Sequence, residues 1–108
     1  MNSPDDPILV YVTAADVEEA RRIGRTLVEE RLAACVNLLP GHDAIYRWEG
    51  RIEEARESAF LAKTTRDRFE ALRARVRALH SYTTPCIVTL RLGEGDPDYL
   101  AWLRAEVA

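Results

Sequence analysis

The stretch RALHSYTTPCIV, residues Arg77–Val88, brings His80, Tyr82, Pro85 and Cys86 close together in the chain. Imidazole and thiolate together suit Cu(I) or Zn. The same pair can act as base and nucleophile. Neither chemistry is complete with two groups. A metal would need a third ligand from Cys35, from water or from a neighbouring subunit. A thiol nucleophile would need an orienting group and an oxyanion hole, and no motif in the chain supplies them. The plain alternative is structural. His80 ends a helix, where a cationic histidine meets free carbonyls and the negative end of the dipole. Cys86 opens a strand as a small buried hydrophobe. Cys35 follows Leu-Ala-Ala at a helix-to-strand junction, a setting that favours packing.

Lys63 is the sole lysine of the chain. A compact ammonium and a planar guanidinium are not interchangeable at a tight site. Lys63 is therefore a candidate contact for a small anionic ligand, with Tyr46, Trp48 and Tyr82 as candidate walls of the same cleft. Aromatic residues near a hairpin also have a simpler role in packing. The Gly-x-Gly of GEGD lies on an acidic loop and is a poor phosphate cradle.

The chain that positions these residues has 108 residues, 31% charged and 47% apolar, with a net charge of -3. That is the size and composition of one globular domain, residues 1–108, with residues 1–7 expected as a flexible polar tail. The acidic balance argues against nucleic-acid and anionic-membrane partners. No apolar run approaches the roughly 20 residues that cross a bilayer. MNSPDDPILV has no basic segment or cleavage site, so no secretion signal is expected. Two lone cysteines in such a chain read as reduced thiols.

Ile8–Thr13 is a continuous apolar, β-branched run, the pattern of a strand buried on both faces. Val17, Ala20, Ile23, Leu27 and Val28 recur at helical spacing, and Thr13 or Asp16 is placed to cap that helix. CVNLLPGHDAIYRW is extended but interrupted at Pro40-Gly41. Glu49-Gly50 suits a two-residue hairpin turn leading into a strand that ends in SAFLAKT. Phe69, Leu72, Val76 and Leu79 mark a second helix, capped by Thr64 or Thr65. PCIVTLRL is a strand, and Asp96-Pro97 opens a short last helix. The order β-α-β-β-α-β-α predicts an α+β fold: an antiparallel sheet with both long helices on one face, and the C-terminal helix on part of the other. The hairpin arms outrun a typical strand of ~5–6 residues. Long edges of that kind invite pairing with another chain.

LAACVN, YRWEGRIE, LAKT, LHSYTTPCIV and DYLAWL, in this order and spacing from Ile8 to about Leu103, resemble the CutA divalent-cation-tolerance family. The resemblance implies a ferredoxin-like βαββαβ fold, a homotrimer assembled through strand pairing, a cytoplasmic setting, and a non-catalytic role in tolerance of copper or another divalent cation, none of them an obligatory cofactor. It also implies an architecture similar to that of the PII trimers, which bind small effectors between subunits. An anion sensor of that type is the alternative function. The family usually has glutamate after the proline at position 85, where this chain has Cys86. Some members have a cysteine where this chain has Val12, and paired histidines where it has Leu79-His80. These departures leave His80 as the matching metal candidate and Cys86 as a substitute ligand, with Cys35 as the third. A thiol enzyme built on Cys86 and His80, and an RNA-binding sheet, are the remaining rivals. The RNA reading needs aromatics beside basic residues on an open sheet, which the charge balance disfavours.

Overall fold

A computed structural model describes residues 3–108 of the chain. The elements are β1 (Pro7–Ala14), α1 (Val17–Glu29), β2 (Cys35–Trp48), β3 (Arg51–Thr65), α2 (Phe69–Leu79), β4 (Ile87–Arg91) and α3 (Pro97–Glu106), with a turn of 3₁₀ helix at Arg66–Arg68. The four strands form one sheet in the order β2-β3-β1-β4, with every neighbouring pair antiparallel. This is the split βαβ arrangement expected from the sequence.

Ile8, Val10, Val12 and Ala14 of β1 are buried, as are Phe60 and Ala62 of β3. They form the main core with Ala20, Ile23 and Leu27 of α1 and Leu72 and Val76 of α2. The alternate residues of β1, Leu9, Tyr11 and Thr13, are only half-buried. The expectation of a strand enclosed on both faces is thus too strong for one chain. α3 is short and covers only part of the second face, through Leu103 and Val107 packed on Ala34.

Local signals explain most boundaries. The Asp16 side chain accepts from the Glu19 N–H at 2.8 Å and starts α1. Asp96 does the same for α3 through the Tyr99 N–H at 3.1 Å, with Pro97 following it. Glu49 and Gly50 both have positive φ, 50° and 80°, as a two-residue turn matched to strand twist requires. α1 ends with Arg31 at φ 59°, while the Arg31 and Leu32 N–H groups donate back to Val28 and Leu27. That geometry usually selects glycine.

Three expectations are corrected. Thr64 does not cap α2; it is buried in β3, and its hydroxyl donates to the Leu32 carbonyl at 2.7 Å. Thr65 stands before the 3₁₀ turn but bonds the Asp67 side chain rather than a backbone N–H. Val28 is 40% exposed, because the α1 face narrows to Ala20, Ile23 and Leu27. The expected tail of residues 1–7 overlaps the described structure in part. Residues 1–2 lie outside the described residues, and Pro7 belongs to β1. Between them, Asp6 and Pro4 carbonyls accept from the Arg66 and Asp67 N–H groups.

β2 and β3 run for 14 and 15 residues, with an irregularity between Leu39 and His42 at Pro40-Gly41. β1 pairs only with Ser58–Thr65 of β3, so from Arg51 to Glu57 β3 has β2 as its sole partner. The hairpin therefore projects beyond the sheet.

At Gly24, α1 approaches β2 so closely that an added Cβ would lie 2.8 Å from Val36 Cγ1. Overpacking of this kind costs about 1–3 kcal/mol, against a helix-propensity gain for alanine of at most ~1 kcal/mol. Gly24→Ala is expected to lower stability by about 1 kcal/mol, read by urea unfolding at matched protein concentration. A more stable variant would show that Val36 yields at no cost.

Candidate functional site

The segment His80–Cys86 runs from the end of α2 to the start of β4 and folds against the end of β1. His80 caps α2, its N–H donating to the Val76 carbonyl at 2.9 Å. Its side chain is fully enclosed. Nε2 lies 2.7 Å from the Thr13 carbonyl, and Nδ1 accepts from the Tyr82 N–H at 3.0 Å. A carbonyl only accepts, so Nε2 carries the proton and Nδ1 the lone pair. Both nitrogens are spent within the chain. In this chain His80 makes the contacts of a packing and capping residue, with neither ring nitrogen left free for the metal role expected of it.

What His80 does is position Tyr82. The two rings lie 4.8 Å apart. The Tyr82 hydroxyl donates to Glu57 Oε2 at 2.8 Å. Burial, then the Glu57 carboxylate, push the Tyr82 phenol well above its ordinary range. Glu57 is itself only 8% exposed, and His42 Nε2 lies 3.8 Å from its other oxygen. Cys86 stands on the same cavity. Burial, then Glu57, raise its thiol pKa. A raised thiol pKa works against the thiolate nucleophile that a Cys86–His80 enzyme would use.

The cavity measures about 440 Å³ and is walled by Thr13, Tyr46, Trp48, Glu57, Tyr82 and Cys86, among others. Glu57 is its one charged lining residue. Three of the sequence candidates, Tyr46, Trp48 and Tyr82, are thus brought together with a fourth, Cys86. Lys63 is not among them. It pairs with Leu9 and Cys35 across the sheet, and its ammonium lies 5.4 Å from the centre of the Tyr99 ring, over a separate hollow of about 200 Å³. The expected single cleft of Lys63 and the aromatics is two places in this chain. Cys35 is remote as well. It belongs to the row of Leu9, whereas Cys86 adjoins Ile87, the partner of Val12. β2 and β4 are three strand spacings apart, roughly 14 Å, so neither a shared metal nor a disulfide joins these thiols, and both are free. Among the described residues, no group of three or more His, Cys, Asp and Glu side chains is arranged to hold a metal ion.

Sequence reasoning missed His42, Glu57 and Glu19. Counting back from the two-residue turn places His42 opposite Glu57, a signal that was available. Glu19 gave no such signal. It accepts from the Ala15 N–H, the Ser81 N–H and the Ser81 hydroxyl at 2.8–3.0 Å. It thereby ties the start of α1 to the segment that carries His80 and Tyr82.

A family model described as CutA1 divalent ion tolerance protein matches residues 8–106. The chain is a member of the CutA1 family. It is 52% identical over 96 residues to the divalent-cation tolerance protein CutA of Thermus thermophilus, covering 89% of this chain and 93% of that one. The solved Thermus thermophilus Cut A1 structure superposes with a TM-score of 0.92 at 49% identity, over 94% of this chain and 99% of that one. CutA from Archaeoglobus fulgidus, described as periplasmic, gives 0.91 at 41% identity, over 94% and 99%. The ferredoxin-like α+β fold implied by the sequence resemblance is the fold of this family. No described helix of this CutA1 chain is long and apolar enough to cross a membrane.

The Glu19 cross-tie has a pH signature. Burial raises the Glu19 pKa, but the hydrogen bonds from Ala15 and Ser81 outweigh it, and the folded value lies below 4.5. A depressed carboxyl pKa stabilises the fold fully above the unfolded value, and the contribution fades as pH falls through the folded one. Glu19→Gln should lose about 1–3 kcal/mol near neutral pH, and the gap to wild type should narrow on acidification. Urea unfolding at neutral pH and below the ordinary carboxyl range reads this; a gap independent of pH would refute it.

Proposed function

We propose that this CutA1 chain is a non-catalytic, homotrimeric divalent-cation tolerance protein of the cytoplasm, and that it contacts its cation at Glu57. The observation that carries this reading is a nearly enclosed carboxylate, the one charge on its cavity, with an imidazole 3.8 Å away and a thiol on the same wall. Carboxylate and imidazole suit Cu(II) or Zn(II), and a thiolate would add a softer donor once the bound ion draws it in. His42 and Glu57 make the first contact. Cys86 must lose a proton to ligate, which its surroundings oppose, so it joins only under the influence of the bound ion. The set is incomplete in one chain. Water or a neighbouring subunit completes it, the binding is weak, and the metal is not an obligatory cofactor. His80 and Cys35 have no place in this site.

The alternative of a PII-like sensor for an anionic effector loses its main support, because Lys63 lies over a different hollow and the aromatic cavity carries a negative charge. The non-catalytic reading is supported by a thiol whose pKa burial raises and by a histidine whose two ring nitrogens both bond within the chain. Free cysteines fit a reducing cytoplasm, although the Archaeoglobus fulgidus relative is described as periplasmic.

The homotrimer rests on the projecting hairpin. Ile45 and Ile52 are 67% and 61% exposed, and Trp48 is 47% exposed. An isolated two-stranded ribbon is marginal in water, and copies of the chain that cover it in a closed ring remove its free edges. Sedimentation equilibrium is expected to give three chains per particle; a stable folded monomer at micromolar concentration would overturn the assembly.

The site has its own test. Calorimetry with Cu(II) and Zn(II) should show binding that weakens about tenfold or more in Glu57→Gln and less in His42→Ala, with Cys35→Ser unchanged. Binding that survives Glu57→Gln and falls in Cys35→Ser would reverse the assignment.

A further inference from the structure

Away from the Glu57 cavity, a second hollow of about 360 Å³ opens between the N-terminal turn, the β3–α2 connection and the end of β4. Its wall carries three guanidinium groups, Arg66, Arg91 and Arg104, against the single carboxylate of Asp6, over apolar surface from Ile8 and Leu100. Three elements distant in sequence deliver these arginines to one place. Arg91 is the register partner of Ile8 at the end of β4. The Arg66 N–H is fixed by the Asp6 carbonyl at 2.9 Å. Arg104 reaches from α3, and its Nε donates to the Asp5 carbonyl at 3.1 Å with the Asp5 carboxylate 3.7 Å away.

The arginines differ in what holds them. Arg104 is anchored through Asp5. Arg66 Nε is buried and has no hydrogen-bond partner among the described residues. A buried donor without a partner is costly and rare, and here it belongs to an arginine that lines a polar hollow. Asp6 does not supply the partner: it forms no ion pair with Arg66 among the described residues, and its Oδ2 accepts from the Ser3 N–H at 2.9 Å. Guanidinium forks match tetrahedral oxyanions through paired N–H donors.

We infer that this hollow binds a compact phosphoryl dianion, inorganic phosphate or a small phosphomonoester, through Arg66 and Arg91, with Arg104 as the fixed third wall. Such an ion offsets the three like charges gathered around the hollow. A monocarboxylate carries half the charge and cannot engage three forks. The site is independent of the Glu57 cavity, and a failure at either leaves the other standing.

The experiment is calorimetry on the full chain with inorganic phosphate, glycerol phosphate and acetate in chloride buffer at constant ionic strength. Inorganic phosphate is expected to bind saturably, with acetate at least about tenfold weaker. Arg91→Gln, on an exposed position, and Arg66→Gln should each weaken phosphate about tenfold or more, while Arg25→Gln, on the outer face of α1, should not change it. Circular dichroism checks that each variant folds. If glycerol phosphate binds more tightly than inorganic phosphate, the phosphoryl site takes an organic ester; the reverse order makes it an inorganic phosphate site. Absence of saturation, an unchanged affinity in Arg91→Gln, or acetate binding as tightly as phosphate would overturn the inference.

Discussion

β1 lies between β3 and β4, and its pleat sends Ile8, Val10, Val12 and Ala14 to the helices while Leu9, Tyr11 and Thr13 face the other way. A slip of one residue would exchange the two sets and place Tyr11 and Thr13 in the core. The pairing of Val12 with both Phe60 and Ile87 fixes that choice. The cavity depends on it too. Thr13 turns its side chain toward Cys86 and its carbonyl toward His80, so the strand that carries the core also sets the wall of the candidate site.

From that strand the site is built by relay. Thr13 holds His80, His80 holds the Tyr82 backbone, and the Tyr82 hydroxyl holds Glu57. Glu19 secures the same segment from α1 through Ser81. Buried polar chains of this kind are strong only when every member is satisfied. Here the histidine serves as a post, and the carboxylate it orients indirectly faces the cavity. Residue type alone ranks these two in the opposite order, because histidine is the commoner ligand by reputation.

Much of the fold was legible because its signals are local. Asp16, Asp96-Pro97 and Glu49-Gly50 act within a few residues of themselves, and each did what its chemistry prescribes. Thr64 failed as a cap because the strand continues through it and its hydroxyl found the Leu32 carbonyl. The site was less legible because it depends on register. A two-residue turn pairs Trp48 with Arg51 and therefore His42 with Glu57, so that contact was countable. The irregularity at Pro40-Gly41 then shifts the ladder by one and sets Cys35, rather than Val36, opposite Lys63. The sequence marks an interruption there but does not say that it adds one residue.

That one-residue shift decides which face of the sheet Cys35 takes. Without it, Lys63 would face Val36, and Cys35 would turn toward the helices. With it, Cys35, Lys63 and Leu9 form one row near α3, and the ammonium settles over Tyr99. Glu57 and His42, beyond the irregularity, form another row beside Tyr82 and Cys86. Lys63 and Glu57 stand six residues apart on β3, so a positive and a negative site that would neutralise each other in one cleft lie at opposite ends of that strand whatever the register of β2. At a separation beyond a Debye length of about 8 Å, exposed charges scarcely feel one another at physiological salt. The Glu57 cavity keeps its negative character because, among the described residues, neither a lysine nor an arginine lines it.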